Sequence, residues 1–239
     1  MYGLGTLINV LSIIIAGILG GLFGKFLKPT HQDSLNKACG VCVLFVGISG
    51  ALEKMLQISD SGLISEGSLM VIICMALGAL VGELLNIEGR FEDFGRWLKE
   101  KTGNSKDKKF VDGFVTASLT VCIGAMAIVG AIQDGLMGDI SILATKSLLD
   151  FIIIIVMTSS MGKGCAFSAV PVGILQGSVT ALSLLIRPLM TPAALTNLSM
   201  VGSILIFCVG VNQIWGKTIR VANLLPAIIF AVAAAFLPF

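Results

Sequence analysis

Charge is scarce in this chain: Asp, Glu, Lys and Arg together supply 13% of its 239 residues. That scarcity excludes a soluble domain, because 56% of the residues are hydrophobic and the mean hydropathy is +0.98. A chain this short cannot hide so much apolar surface from water, whereas a bilayer accepts it directly. Histidine is nearly absent, with His31 alone. No Ser/His/Asp set, metalloprotease motif or nucleotide-binding pattern can be assembled, so no enzyme is expected. Cysteine is too thinly spread for a metal centre. Cys39 and Cys42 have metal-like spacing but no second ligand pair, and Cys74, Cys122, Cys165 and Cys208 read as packing residues. No metal or other cofactor is expected. The net charge of +2, scattered along the chain, gives no nucleic-acid surface.

What the chain does have is long apolar runs. Eight segments approach the roughly 20 residues that cross about 30 Å of hydrocarbon: 4–27, 38–57, 67–87, 111–133, 142–161, 166–187, 195–213 and 222–238. Runs such as Phe151 to Val156 do not alternate, which argues for helices over a β-barrel. The expected fold is an all-α polytopic bundle forming one membrane domain over 1–239.

Sidedness follows from the basic residues. With both termini outside, 13 of the 16 lysines and arginines fall on inner loops and helix ends, leaving Lys54, Lys146 and Arg187 outside. The first span carries no charged leader and is followed by Lys25 and Lys28, so it reads as a retained helix. Between the third and fourth spans, 88–110 is the one substantial polar stretch. Phe91, Phe94, Trp97 and Leu98 recur there at helical spacing beside Arg90, Arg96, Lys99 and Lys101. That pattern predicts an amphipathic helix in the inner interface.

Faint echoes suggest duplication. Gly17-Ile18-Leu19-Gly20-Gly21 resembles Gly173-Ile174-Leu175-Gln176-Gly177, and Phe45-Val46-Gly47-Ile48 resembles Cys208-Val209-Gly210-Val211. These would relate spans 1–3 to 6–8 as an inverted repeat. A competing echo, Gly50-Ala51-Leu52 against Gly130-Ala131-Ile132, relates spans 2–3 to 4–5 instead.

Charge within the spans marks the candidate site. Asp150 lies in the fifth span with Lys146 one turn earlier, so the two share a face. An unpaired charge at mid-bilayer costs about 2.5–3.5 kcal/mol on insertion scales, so such residues point to function or to a partner. Gln133 and Asp134 end the fourth span, and Gln176 sits near the middle of the sixth. Gly17, Gly20, Gly21 and Gly24, with Gly78 and Gly82, form faces on which helices approach closely. Pro171, after Gly162-Lys163-Gly164-Cys165, marks either a helix start or an unwound half-helix.

Three stretches carry a family likeness: Gly113 to Ser118 running on through Cys122 to Gly135; Lys146-Ser147-Leu148-Leu149-Asp150; and Phe167 to Val172 with Gln176-Gly177-Ser178. With Gly5-Thr6-xx-Asn9 and the 20–24 glycine run, they resemble the YqgA/YdfK-like integral membrane proteins, domain of unknown function 554. The resemblance implies a multi-span protein of the bacterial inner membrane and supplies no substrate. The reading is a small secondary transporter of a polar solute or ion, homo-oligomeric through a glycine-rich face. Its rivals are a passive channel and a non-transporting scaffold that docks a partner on 88–110.

Overall fold

The computed structural model describes residues 2–59, 62–123 and 125–237. Its helices are α1 (Leu4–Gly24), α2 (Pro29–Met55), α3 (Ser68–Leu85), α4 (Ile87–Lys101), α5 (Phe110–Cys122), α6 (Ala125–Met137) and α7 (Ser141–Met161). After a 3-10 segment, Lys163–Ser168, come α8 (Ala169–Ala181), the short α9 (Ser183–Ile186) and α10 (Pro192–Trp215). Further 3-10 segments are Arg187–Leu189, between α9 and α10, and Val221–Leu224, which leads into α11 (Pro226–Ala234). Six helical stretches are long and apolar enough to cross a membrane, and the α5–α6 pair makes a seventh if counted as one bent span. The fold is an all-α membrane helix bundle.

Glycine faces assemble it. α1 lies parallel to α7: Gly5 faces Leu143, Gly20 faces Ile155 and Gly24 faces Ser159. α2 runs antiparallel to α10, with Gly40 on Gln213 and Gly47 on Phe207, and α3 runs antiparallel to α11, with Gly78 on Ala227. A methyl group at Gly82 would overlap the Asn223 carbonyl oxygen, and one at Gly17 would overlap Ala166. Without a hydrophobic drive between helices in lipid, such close backbone approach supplies the packing energy. Gly21 stands apart, with only Thr158 Cγ2 at 4.0 Å. Five of the six singled-out glycines thus face neighbours in their own chain.

Several expected boundaries shift, for local reasons. The first span ends at Gly24 instead of 27, and α2 starts at Pro29, well before 38, because proline is suited to the first helical turn. α10 starts at Pro192 instead of 195, with Thr191 Oγ1 accepting from Ala194 N–H at 3.1 Å as an N-cap. The fourth span is broken: Ile123 is extended (ψ 128°), and α5 meets α6 at 62°. The sixth is a regular helix only from Ala169 to Ala181, preceded by the 3-10 turn that Gly162 (φ +98°) makes possible. Pro171 sits in the first turn of α8, where its missing N–H is harmless. The eighth, expected over 222–238, is regular only over Pro226–Ala234. A hairpin that the sequence did not announce, Leu56–Ser59 paired with Gly62–Ser65, links α2 to α3.

The amphipathic segment is helical over Ile87–Lys101, with a polar turn completing the predicted 88–110 stretch. Its apolar face docks on α5: Phe91 stacks on Phe114 at 5.5 Å and Phe94 meets the same ring edge-on at 5.9 Å. The main core forms where α1, α5, α7, α8 and α10 converge, around Ile13, Phe110, Phe114, Ile154, Met157 and Leu205.

Candidate functional site

α7 presents Lys146 and Asp150 toward α1 and α8, so that both side chains leave lipid and solvent. Lys146 is 7% exposed and Asp150 3%. The ammonium lies 2.8 Å from each carboxylate oxygen. Asn9 on α1 donates from Nδ2 to Asp150 Oδ2 (3.1 Å) and to Gln176 Oε1 on α8 (3.3 Å). One buried cluster thereby joins three helices.

The chemistry of the cluster fixes its orientation. A carboxylate only accepts, so the edge of Asn9 that faces Asp150 must be its NH2. The edge of Gln176 that meets this NH2 must then be its carbonyl. What remains is an acceptor, Asn9 Oδ1, and a donor, Gln176 Nε2, both buried and without a hydrogen-bond partner among the described residues. A buried polar atom without a partner costs about 1–3 kcal/mol, so the site has unmet hydrogen-bonding capacity of both signs.

Local helix stability does not account for the ion pair. Lys146 precedes Asp150 at i,i+4, the less favourable order on a helix, because each charge then sits toward the wrong end of the macrodipole. Burial adds a desolvation cost that the mutual attraction of such a pair often only balances.

Asp134, expected along the same path, does something else. It is fully buried and accepts from the N–H groups of Gly3 (3.1 Å), Gly5 (3.0 Å) and Thr6 (3.4 Å). It caps the start of α1, supplying the partners and the negative charge that a helix N-terminus lacks. The 62° angle between α5 and α6 goes with this contact. Thr6 and Thr180 hydroxyls, 3.4 Å apart, lie between the cap and the cluster. Gln133 is half-buried and makes no side-chain hydrogen bond among the described residues. The structure therefore brings together Lys146, Asp150 and Gln176, sets Asp134 one turn of α1 away, and leaves Gln133 out. Asn9, Thr6 and Thr180 were missed as site residues, although Thr6-xx-Asn9 and Gln176-xxx-Thr180 put them at helical spacing on two otherwise apolar spans.

A second polar region lies at the opposite end of the bundle. A cavity of about 260 Å³ is lined by Asn36, Glu88, Glu92, Asp112, Gln213 and Lys217. It adjoins another of about 230 Å³, with which it shares Asn36, Asp112 and Met161. Gln213 is 5% exposed, its Oε1 has no partner among the described residues, and its Nε2 lies 3.9 Å from Met157 Sδ. On α7 the cavity is lined by Met161, about three turns or roughly 16 Å of helix rise beyond Asp150. At its rim Lys217 reaches Glu88 at 2.8 Å and also pairs with Glu92. Partial burial pulls the Lys217 pKa down, but the two glutamates outweigh it and leave the ammonium held above its ordinary value.

These features define the class first: an integral membrane helix bundle with a buried charged cluster and a polar cavity at one end. The particular family follows from sequence comparison. Residues 4–236 match the family described as "Protein of unknown function (DUF554)", and the chain belongs to that family. It is 30% identical over 232 residues to "Uncharacterized membrane protein YdfK" of Bacillus subtilis (strain 168), covering 97% of this chain and 95% of that one. It is 27% identical over 235 residues to "Uncharacterized protein YqgA" of Escherichia coli (strain K12), covering 95% and 94% respectively. No solved structure matches the chain.

Proposed function

We propose that this protein is a small secondary transporter of a polar solute or ion, with Asp150 as the binding or coupling carboxylate and Lys146 as its counter-charge. The observation that carries the reading is the buried Lys146–Asp150 pair bounded by a free acceptor on Asn9 and a free donor on Gln176. Ionisable side chains at membrane depth, held among helices and offering spare hydrogen bonds, are the usual substance of ion and solute sites. The polar cavity, whose α7 wall at Met161 lies about three helical turns beyond Asp150, is the vestibule in this reading, with its lining residue Gln213 beside buried Met157.

The orientation proposed is both termini outside, in a bacterial inner membrane. It is supported by Lys25, Lys109, Lys163 and Lys217, which line grooves and cavities at one end of the bundle. The inverted repeat finds support in the antiparallel docking of α2 on α10 and α3 on α11, the counterparts that such a repeat would relate. Packing of the α4 apolar face on Phe114 argues against that face as a docking surface, and so favours transport over the scaffold reading.

The test is a thermal-stability screen of the purified protein against amino acids, organic acids, nucleobases and ions, followed by flux of any hit in proteoliposomes. A ligand at one hundred times its dissociation constant adds about 2.7 kcal/mol of stability. The expected result is a saturable shift, and saturable flux, both absent in Asp150→Asn while the variant stays folded. Full coupled flux in that variant would remove Asp150 from the mechanism, and non-saturating conductance would make the protein a channel.

A further inference from the structure

A groove of about 680 Å³ runs along the outside of α1, between it and the 163–170 segment. Its walls are Ile14, Ile18, Leu22, Phe167 and Val170, and its floor includes Gly21. Ile18 is 59% and Leu22 49% exposed, so the groove faces whatever surrounds the bundle. At one end the lining changes character to Lys25, Lys163, Thr102 and Asn104. Both lysines are exposed, and neither forms an ion pair among the described residues. Asp107, the acidic neighbour across Gly162, lies outside the lining and already accepts from Lys109 N–H at 3.0 Å.

The dimensions suit one class of ligand. From Ile14 to Lys25 the helix rises about 16 Å, close to half of the roughly 30 Å hydrocarbon core, which is the depth of one leaflet. An acyl chain laid along Ile14, Ile18 and Leu22 would bring its headgroup to the level of the two ammonium groups, where long basic side chains reach the interface. A second groove of similar size, about 610 Å³, provides the internal contrast. It is lined by Phe91, Phe94, Ile174, Leu175, Ile228 and Ile229 among others, with no lysine or arginine. That groove has nothing with which to select a headgroup.

We propose that the α1 groove is a binding site for an anionic phospholipid, with Lys25 and Lys163 holding the phosphate and α1 the acyl chain. Each lysine at the surface favours an anionic lipid by about fivefold, so the pair should give about a 30-fold preference.

The experiment uses the full chain in detergent, titrated with phosphatidylglycerol, with phosphatidylcholine of the same acyl chains, and with inorganic phosphate. Bound lipid is read by native mass spectrometry, and stability by melting temperature. Phosphatidylglycerol should bind at about 30-fold lower concentration than phosphatidylcholine. The preference should fall below about threefold in the K25Q/K163Q double variant and persist in Lys28→Gln, a basic residue near the same end but outside the groove. Both substitutions remove exposed, unpaired charges, so the lipid-free melting temperature should not move; if the double variant fails to fold, the wild-type comparison of the two lipids decides. Equal binding of the two lipids, or a preference that survives in the double variant, overturns the proposal. So does a matching shift with phosphate alone, which would make the ligand a free anion.

Discussion

Lys146–Asp150 and Lys217–Glu88 are both lysine–carboxylate pairs closed at 2.8 Å, one inside the bundle and one at its rim. Around the rim pair, the carboxylate has structural duties. Glu88 Oε2 accepts from the Ala222 N–H at 3.0 Å, while Asn223 Oδ1 accepts from the Glu88 N–H at 2.7 Å. This reciprocal arrangement ties the first turn of α4 to the 221–224 turn, next to the close contact of Gly82 with Asn223. Among the described residues, the inner pair caps no backbone group. Asp150 is held there by side chains, and two of the surrounding amide atoms have no partner among those residues. The same chemistry thus serves as a clamp in one place and leaves capacity for a ligand in the other. Burial alone does not separate them, since Glu88 is as buried as Asp150; the backbone partners do.

The largest expected effect is the removal of Asp150. Asp150→Ala leaves the Lys146 ammonium buried without a counter-charge, at a cost of about 3–5 kcal/mol, read as a fall in melting temperature in detergent. Replacing both partners, Lys146→Met with Asp150→Leu, should recover most of that stability, because apolar pairs of similar volume pack without desolvation. If the cluster is a site, the double variant regains stability and stays blind to any ligand that shifts the wild type. Recovery of the ligand response as well would reduce the pair to a structural element and erase the contrast with Glu88.

Asn9 comes next, because it links Gln176 to the charged pair. Asn9→Ala should cost about 1–3 kcal/mol, free Gln176 to rotate and weaken the ligand response more than the stability. Glu88→Ala should cost a similar amount by exposing the Ala222 N–H and breaking the clamp, while leaving the ligand response of the folded fraction unchanged. Parallel losses of ligand response in both variants would mean that the rim and the interior act as one unit.

Much of this contrast was legible in the sequence, and the parts that were not share a cause. Spacing on a single helix reveals Lys146 with Asp150, and an ionisable residue in an apolar run announces itself. Convergence between helices has no such signal. Thr6 and Asn9 on α1 are distant in the chain from Thr180 and Gln176 on α8, and each meets its partner only because the two helices pack together. Asp134 looked like a path residue because a carboxylate at the end of a span carries no mark of the helix it will cap. The change of direction between α5 and α6 falls in a stretch of sequence with no proline to announce it. Glu88 was absorbed into an amphipathic pattern that describes the helix correctly and hides its one buried acid. The shortened last span was over-read because hydropathy measures the length of apolar sequence, and the 221–224 turn is apolar too.

The smallest expected effect is the most direct test of burial as a variable. Lys217 is 49% exposed, whereas Lys146 is 9% by side chain. Lys217→Ala removes a half-exposed cation; Glu92 is partly hydrated, and buried Glu88 keeps the Ala222 N–H as a partner, so the loss should cost about 1 kcal/mol. Its pH dependence has a definite sign. Glu88 and Glu92 outweigh burial and raise the folded-state pKa above 10.5, so the contribution is fully present below that pH and is lost as pH rises through the raised value. The difference in melting temperature between wild type and Lys217→Ala should therefore be small and flat below pH 10.5 and shrink above it. A difference as large as that of Lys146→Ala would show that the rim is shielded from water in the membrane. The contrast between clamp and site would then have to rest on hydrogen-bond partners alone.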